Sequence, residues 1–463
     1  MRRTRVDANV SRGQCATHRS QTYLFRLMLC VRCDAQLHSP HLWGKLSHEW
    51  RGGGREARIV NSFIKTQKRE GLKEMSESTR SVKPIRMALL GLGQRGLQHL
   101  KALWTLQQEG MVQLVALGDA FAQNLEEAKI QRYVPGFQAH DIVHSTNFAA
   151  LMDAQPDALY ICLPPNVHNG EVIQAAQAGI HLFVEKPMSL FLDEALAMEK
   201  AIAEANIIST VGFQQRFDVR HEAMKTFLAD KTPILGQYVF HAPFEAHSVK
   251  HTHTETQGGP TNRVWTANRA WSGGTVVEGG IHPLDLWRYW FGNVVWVQAT
   301  YNHRPPHEIF DGADNPYAYA VTFGFANGAL GSMTLSRLRK VYATQSLHQV
   351  LWSEGHLCLE DKDVALYHYS GAYPPKTVPS RESVRSVLPV AQAQDTTLAI
   401  ARSFALAIRE GDASLVRSPF ADAMNSLAAV IAANVSDELG GVKVNLDELL
   451  TAPEYAQFRA KPA

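Results

Sequence analysis

The sequence predicts an α/β protein with a parallel sheet in its first half and mostly antiparallel strands in its second, preceded by an extension of different character. Three observations carry this. From Ile85 onward, apolar strands alternate with segments of helical period. The first strand runs into a helix through a glycine-rich turn, "LLGLGQRGLQHL". From "GQYVFHAPF" onward, antiparallel-strand patterns recur. At 463 residues the chain is too long for one hydrophobic core, and two to three domains are expected.

The glycines of the turn are Gly91, Gly93 and Gly96, a G-x-G-x-x-G run placed between strand and helix. The first glycine allows a tight turn, the second lets backbone approach a pyrophosphate, and the third lets helix pack on strand. The free N–H groups at the helix start then favour phosphate. A second strand, "MVQLVALGD", ends at Asp119, 23 residues after Gly96, where a carboxylate suits the ribose diol of a dinucleotide. Ala120 and Phe121 follow, with no arginine to welcome a 2′-phosphate, so NAD is favoured over NADP. Next come a helix over 124–133, a short strand near Ile142, and the buried strand "DALYICLPP". They are followed by a helix over 171–178, the strand "HLFVEKP", the helix "LDEALAMEKAIAEAN" and the strand "IISTVGF". Such alternation means right-handed crossovers and a parallel sheet, whose ligands bind at the carboxyl ends of the strands. Lys186 of "EKP" stands at one such end and points into the crevice.

In the second half, "GQYVFHAPF", "VVWVQATYNH", "YAYAVTFGFANGALGSMTLSR", "LHQVLWSEGHLCLE" and "DVALYHYS" read as antiparallel strands, two of them joined at Asn327-Gly328. Helices return over 397–409 and 421–434. The segment "EGGIHPLDLWRYWF" bears the chemistry. Glu278 and His282 are four apart and Asp285 follows three later, so both carboxylates are expected beside the imidazole, raising its pKa and orienting it as an acid/base. Trp271 and Arg269 just upstream suit a sugar ring and its hydroxyls or carboxylates. "HAPFEAHSVKHTHTETQGG" reads as a substrate loop or lid rather than a metal site, and no metal is expected.

GLGQRG, "YICLPPNVH", "EKP", "VGFQQRF" and "GGTVVEGGIHPLDLWRYWFG", in this order and spacing, resemble the Gfo/Idh/MocA oxidoreductases over roughly residues 84–450. The resemblance implies an N-terminal Rossmann domain over 84–207. A C-terminal α/β domain, built on a large, open, mostly antiparallel sheet, would occupy 208–455 and serve substrate binding and oligomerisation. It implies NAD-dependent oxidation or reduction of a carbinol carbon in a sugar, polyol or related compound, with a homodimer or homotetramer as the assembly. Carried onto this chain, the expected cofactor contacts are Gly91, Gly93, Gln94, Arg95, Gly96, Asp119, Leu163, Pro164, Asn166, His168, Glu185, Lys186 and Gln214. Lys186 and His282 would act on the reacting oxygen and its proton, with Glu278 and Asp285 tuning His282, and Trp271, Arg269 and His282 would meet the substrate. The family usually has aspartate where this chain has Glu278, a longer arm for the same charge. Two alternatives within the resemblance are an NAD-dependent glycoside hydrolase and a non-catalytic sugar- or nucleotide-sensing regulator.

Residues 1–74 hold 15 Lys and Arg against 6 Asp and Glu, and show no sustained helical or strand period. Cys30, Cys33, His38 and His41 have zinc-ligand character, but the remaining ligand pairs of a zinc finger are missing. The stretch 1–83 is therefore expected to be disordered or untranslated, with Met75 a suitable start; a transit peptide is the other reading of its arginine-rich composition. The rest of the chain is mildly acidic, which disfavours a nucleic-acid partner. No apolar run reaches the roughly 20 residues of a membrane helix. Five cysteines make no disulfide framework at this length, so a cytoplasmic, reducing setting is the expectation. A chain beginning at Met75 should stay soluble and bind cofactor as the full chain does; loss of either property would show that the extension packs against the body.

Overall fold

The computed structural model describes residues 83–243, 266–309, 312–338 and 345–461. The cysteine and histidine cluster of the extension, and His247, His251 and His253, lie outside the described residues.

The first sheet is built from β1 (Ile85–Leu90), β2 (Val112–Gly118), β3 (Val143–Ser145), β4 (Ala158–Ile161), β5 (His181–Val184) and β6 (Ser209–Val211). All pair in parallel, in the order β3-β2-β1-β4-β5-β6. Their connections are α1 (Gln94–Gln108), α2 (Glu127–Tyr133), α3 (Phe148–Asp153), α4 (Glu171–Gln177) and α5 (Leu192–Ala205). A strand covered on both faces needs an unbroken apolar run, and β4 and β5 supply it: Ala158, Leu159, Tyr160, Ile161, Leu182, Phe183 and Val184 are fully buried. Helix α1 turns Leu97, Leu100, Leu103 and Leu106 onto the sheet at helical spacing. Helix α3 was not foreseen from the sequence. Asn147 caps it through its side chain, accepting from Ala149 N–H at 3.0 Å.

The chain continues through α6 (Val219–Leu228), β7 (Pro233–Pro243), α7 (Arg269–Ser272), α8 (Thr275–Glu278) and α9 (Ile281–Phe291). Strands β8 (Val294–Asn302), β9 (Ala318–Phe325), β10 (Leu330–Leu338), β11 (Gln345–Trp352), β12 (Gly355–Glu360) and β13 (Asp363–His368) follow. After α10 (Arg381–Val384) and β14 (Arg385–Val387) come α11 (Thr396–Glu410), α12 (Phe420–Glu438) and β15 (Val444–Asn445). Nine of these strands form one open sheet, β14-β13-β12-β11-β7-β10-β9-β8-β15. It is antiparallel but for one pair, β7 with β10. The β9–β10 hairpin turns at Asn327-Gly328 as expected, with Gly328 at φ +86.

Two packing devices seat the helix that carries His282. Trp287 of α9 is wholly buried over Gly236 and Gly331. A Cβ on either glycine would lie 2.7 Å or 2.8 Å from the indole, so only bare backbone fits beneath it. On the other side, Asp285 takes Arg216 at 2.8 Å and 2.6 Å, and Asp422 of α12 takes Arg216 at 2.8 Å and Arg288 at 2.9 Å. Burial opposes the charge on Asp422, but the two arginines prevail and hold it below the usual carboxylate range. Helix α12 is apolar nearly all round and packs against β8, α9, α5 and β6. One apolar cluster accordingly runs from Ala88 and Val184 of the first sheet to Val297, Met333 and Val350 of the second. Helix α11, late in sequence, returns to the first sheet. Its Ile400, Ala401 and Phe404 join Leu89, Tyr160 and Phe183.

His348 of β11 is buried beside Trp287, Trp290, Tyr238 and His221, and its Nε2 has no partner. Burial, aided by His221, lowers its pKa from 6.5 to about 3. The unfolded chain therefore takes up this proton first. The stability the neutral ring contributes is complete above pH 6.5 and is lost as pH falls toward 3, at about 1.4 kcal/mol per pH unit. His348→Phe should reduce the drop in unfolding free energy between pH 7 and pH 5 by about 1–2 kcal/mol, measured by urea titration. An unchanged drop would mean the ring is protonated in the folded protein.

Candidate active site

Every residue expected to meet a cofactor lies just beyond the carboxyl end of a strand of the first sheet. Gly91–Gly96 follow β1, Asp119 follows β2, Leu163–His168 follow β4, Glu185 and Lys186 follow β5, and Gln214 follows β6. Helix α1 begins at Gly93 with no side-chain cap, so its first N–H groups are open to a ligand. Gly91 sits at φ +93, and a Cβ there would lie 2.4 Å from the Cys162 carbonyl oxygen; one on Gly96 would lie 1.8 Å from the Gly91 oxygen. Around Gly93, by contrast, a Cβ would meet nothing within 4 Å. That is the cradle a pyrophosphate requires: two glycines forced by close backbone and one bordering open space. Side-chain polar atoms also stand enclosed without partners along this edge, among them Gln214 Oε1 and His282 Nδ1. The residues present thus fit a dinucleotide.

Asp119 is buried. One carboxylate oxygen accepts from Leu92 N–H at 2.6 Å; the other accepts from Phe121 N–H at 2.8 Å and Asn124 Nδ2 at 3.0 Å. It locks the glycine-rich turn onto the end of β2. Three expected cofactor contacts are placed differently from the expectation. The Glu185 carboxylate lies under the crevice, taken by Arg95 Nε at 2.8 Å, His99 Nε2 at 2.6 Å and its neighbour Lys186 N–H at 3.0 Å. Burial alone would raise its pKa, but Arg95 and His99 hold it well below the usual carboxylate range. Arg95 turns to Glu185, Gln98 and Thr397 of α11. His168 is buried with Nδ1 on Glu171. All three brace the cofactor edge from below.

Lys186, joined to Pro187 by a cis peptide, extends across the crevice. Its Nζ donates to the Glu278 carbonyl at 2.9 Å and to the Glu278 carboxylate at 3.1 Å. Gly279 and Gly280 both have helical dihedrals, so α8 passes almost without interruption into α9 and sets His282 one turn after Glu278. Burial works against the Glu278 charge, but Lys186 outweighs it and keeps the carboxyl below its ordinary pKa; His282 and Arg337 act in the same direction. His282 is half-buried, edge-on to Phe213. Its pKa goes down to about 3, contrary to the expectation of a rise: burial and then Lys186 outweigh the pull of Glu278. Asp285 also departs from the expectation. It points into the protein onto Arg216, and Ser426 Oγ donates to it at 2.9 Å, so it anchors the helix rather than facing His282.

Trp271 stands 39% exposed at α7, next to half-buried Arg269. Sequence reasoning missed His99, Thr397, Tyr319 and Arg337. His99 had a signal, one helical turn beyond Gly96 on the inner face of α1. Arg337 had none, because its contact with Thr275, Nε to Oγ1 at 3.4 Å, spans 62 residues.

A parallel sheet with a glycine-rich turn and an open helix start at its carboxyl edge defines a dinucleotide-binding protein, and a lysine, a carboxylate and a neutral histidine meet at that edge. Comparison with known proteins agrees. The model of the oxidoreductase family with NAD-binding Rossmann fold matches residues 85–213, and that of the Gfo/Idh/MocA C-terminal domain matches residues 245–357. The chain belongs to the Gfo/Idh/MocA family of NAD-binding oxidoreductases. It is 27% identical over 277 residues, 59% of this chain and 73% of the relative, to a scyllo-inositol 2-dehydrogenase (NAD(+)) of Bacillus subtilis. It is 28% identical over 274 residues, 59% of this chain and 74% of the relative, to a myo-inositol 2-dehydrogenase of Thermotoga maritima. In fold it is similar to an Agrobacterium radiobacter oxidoreductase solved with NAD+, L-tartaric acid and magnesium, with a TM-score of 0.61 and 19% identity over 79% of this chain and 99% of that one. No helix among the described residues is long and apolar enough to cross a membrane.

Replacing Asp119 by Ser and Ala120 by Arg together should shift the ratio of NAD to NADP dissociation constants toward NADP by about 10-fold or more, read by fluorescence titration of the reduced cofactors. An unchanged ratio would mean that Asp119 serves the turn and does not reach the ribose.

Proposed function

We propose that this protein is an NAD-dependent dehydrogenase or reductase acting on a carbinol carbon of a sugar, polyol or related hydroxy compound. The observation that carries the reading is the meeting of Lys186, Glu278 and His282 at the carboxyl edge of the NAD-binding sheet. The inositol dehydrogenases among the relatives support the substrate class. The turn Gly91–Gly96 and the start of α1 would hold the pyrophosphate, Asp119 the adenosine ribose, and Leu163, Pro164, Asn166 and Gln214 the walls toward the nicotinamide. When bound, NAD supplies the acceptor or donor of a hydride.

The chain's own residues handle the oxygen and its proton. Burial keeps His282 neutral, so the imidazole is a ready base for the hydroxyl proton of an alcohol substrate and returns that proton in the reverse direction. Lys186 places an ammonium where negative charge grows on the same oxygen. Glu278 holds Lys186 through two acceptors, which limits its rotamers and sets its direction. Trp271 and Arg269 would line the substrate side. Assembly as a homodimer or homotetramer would use the face of the nine-stranded sheet opposite Trp287, where Leu330 and Leu338 are exposed.

Initial-rate measurements of NADH formation across polyols and sugars test the reading; absence of turnover with every member of both classes counts against it. Lys186→Met and His282→Ala should each lower kcat by about 100-fold or more while leaving NAD affinity within a few-fold. The double variant should be little worse than the weaker single one, since groups acting on one oxygen are not additive. Full multiplication of the two losses would show that they serve different steps.

A further inference from the structure

Most of the buried or half-buried arginines along the cofactor edge and around α9 are paired with carboxylates. Arg95 lies on Glu185, Arg216 on Asp285 and Asp422, Arg288 on Asp422 and Arg417 on Glu222. Arg269 and Arg337 are different. Both are half-buried, and neither guanidinium has a carboxylate within 4.0 Å among the described residues. They flank one spot. Tyr319 Oη lies 3.2 Å, and Arg269 Cγ 3.8 Å, from the point a Cβ on Gly274 would occupy. Thr275 N–H donates to the same Tyr319 Oη at 3.1 Å, and Arg337 Nε lies 3.4 Å from Thr275 Oγ1. Gly274 and Thr275 form the start of the turn that ends in Glu278, so this spot adjoins the lysine, the carboxylate and the histidine.

We propose that the substrate carries an oxyanion, a carboxylate or a phosphate, and that Arg337 together with Arg269 receives it. This rests on the dehydrogenase reading above and narrows its substrate class from neutral polyols to sugar acids or sugar phosphates. The charges on the crevice support it. Lys186 and Arg337 both bear on Glu278, Glu185 is matched by Arg95, and the one further carboxylate beside Arg269 among the described residues, Asp314, accepts from its backbone N–H at 2.6 Å rather than from its guanidinium. Cationic groups drawn out of water without counter-charge are unfavourable, and an entering oxyanion supplies that charge. A guanidinium offers paired parallel donors that match a carboxylate or phosphate, a geometry a lone hydroxyl cannot use. Among the described residues the Arg337 fork makes only the weak 3.4 Å hydrogen bond to Thr275, which an oxyanion can displace. The Arg337 charge also already reaches Glu278, whose carboxyl it helps to keep ionised, so an anion bound there lies within electrostatic range of the reacting groups.

The test compares D-glucuronate and D-glucose 6-phosphate with D-glucose, and D-gluconate with sorbitol, using the NAD-loaded enzyme. In at least one arm kcat/KM for the anion should exceed that for its neutral counterpart by about 10- to 100-fold, mainly through KM, and the preference should weaken as salt rises. The carboxylate and phosphate arms identify which oxyanion is preferred. Arg337→Met should lower the anion-to-neutral ratio by about 10-fold or more, with Arg337→Lys restoring part of it. Equal or better use of the neutral compounds, or an equal loss for both classes in Arg337→Met, overturns the proposal while leaving the dehydrogenase reading intact. If none of these compounds is turned over, calorimetric titration of the NAD-loaded protein with the same pairs decides it: tighter anion binding that Arg337→Met abolishes supports the proposal, and no preference overturns it.

Discussion

The Nζ of Lys186 lies 2.9 Å from the carbonyl oxygen of Glu278 and 3.1 Å from its carboxylate, and this single cross-link ties the tip of a parallel strand to a helical turn of the second sheet's layer. The proposed site depends on it because neither half alone holds all the groups assigned to the reaction. The pair is largely withdrawn from water, where an ion pair is only as good as its geometry and its supporting hydrogen bonds. Support comes from both sides. Glu185 is clamped by Arg95 and His99, so the chain entering Lys186 cannot tilt. Asp285 is clamped by Arg216, and Trp287 is set into the glycine notch, so the helix leaving His282 cannot roll.

The parts legible from sequence were those encoded locally. Apolar runs of four to eight residues between helical periods, the glycine-rich turn, and the Asn327-Gly328 hairpin are short-range patterns, and each element stands within a few residues of its expected place. What escaped was set at long range. Nothing in β7 or β10 marks them as parallel partners, because about 90 residues, with three helices among those described, intervene. Asp285 illustrates the same limit within a site. Three-residue spacing does put it near the side of the helix that bears His282. Which way the carboxylate turns was decided by Arg216, 69 residues earlier, and by Ser426, 141 residues later.

The protonation of His282 was illegible for a related reason. Its carboxylate neighbour Glu278 could be read from spacing; its burial and the approach of Lys186 could not. Those two effects lower the pKa and the neighbour raises it, so the sign of the sum follows from tertiary structure alone. A neutral imidazole beside an ammonium is a more useful arrangement for an alcohol substrate than the imidazolium that spacing suggested. In the proposed mechanism the lysine supplies the positive charge and the histidine accepts the proton.

Helix α11 gives the chain an order of assembly. The face of the first sheet formed by Leu89, Tyr160 and Phe183 is closed by Ile400, Ala401 and Phe404, nearly two hundred residues after β6 ends. A ribosome releasing this chain exposes the whole parallel sheet long before its cover is made. Until then the aromatic floor of Tyr160 and Phe183 is bare apolar surface, the kind that attracts chaperones or other nascent chains. The dinucleotide layer comes first in sequence, yet its folding is finished only by the part of the chain synthesised near the end.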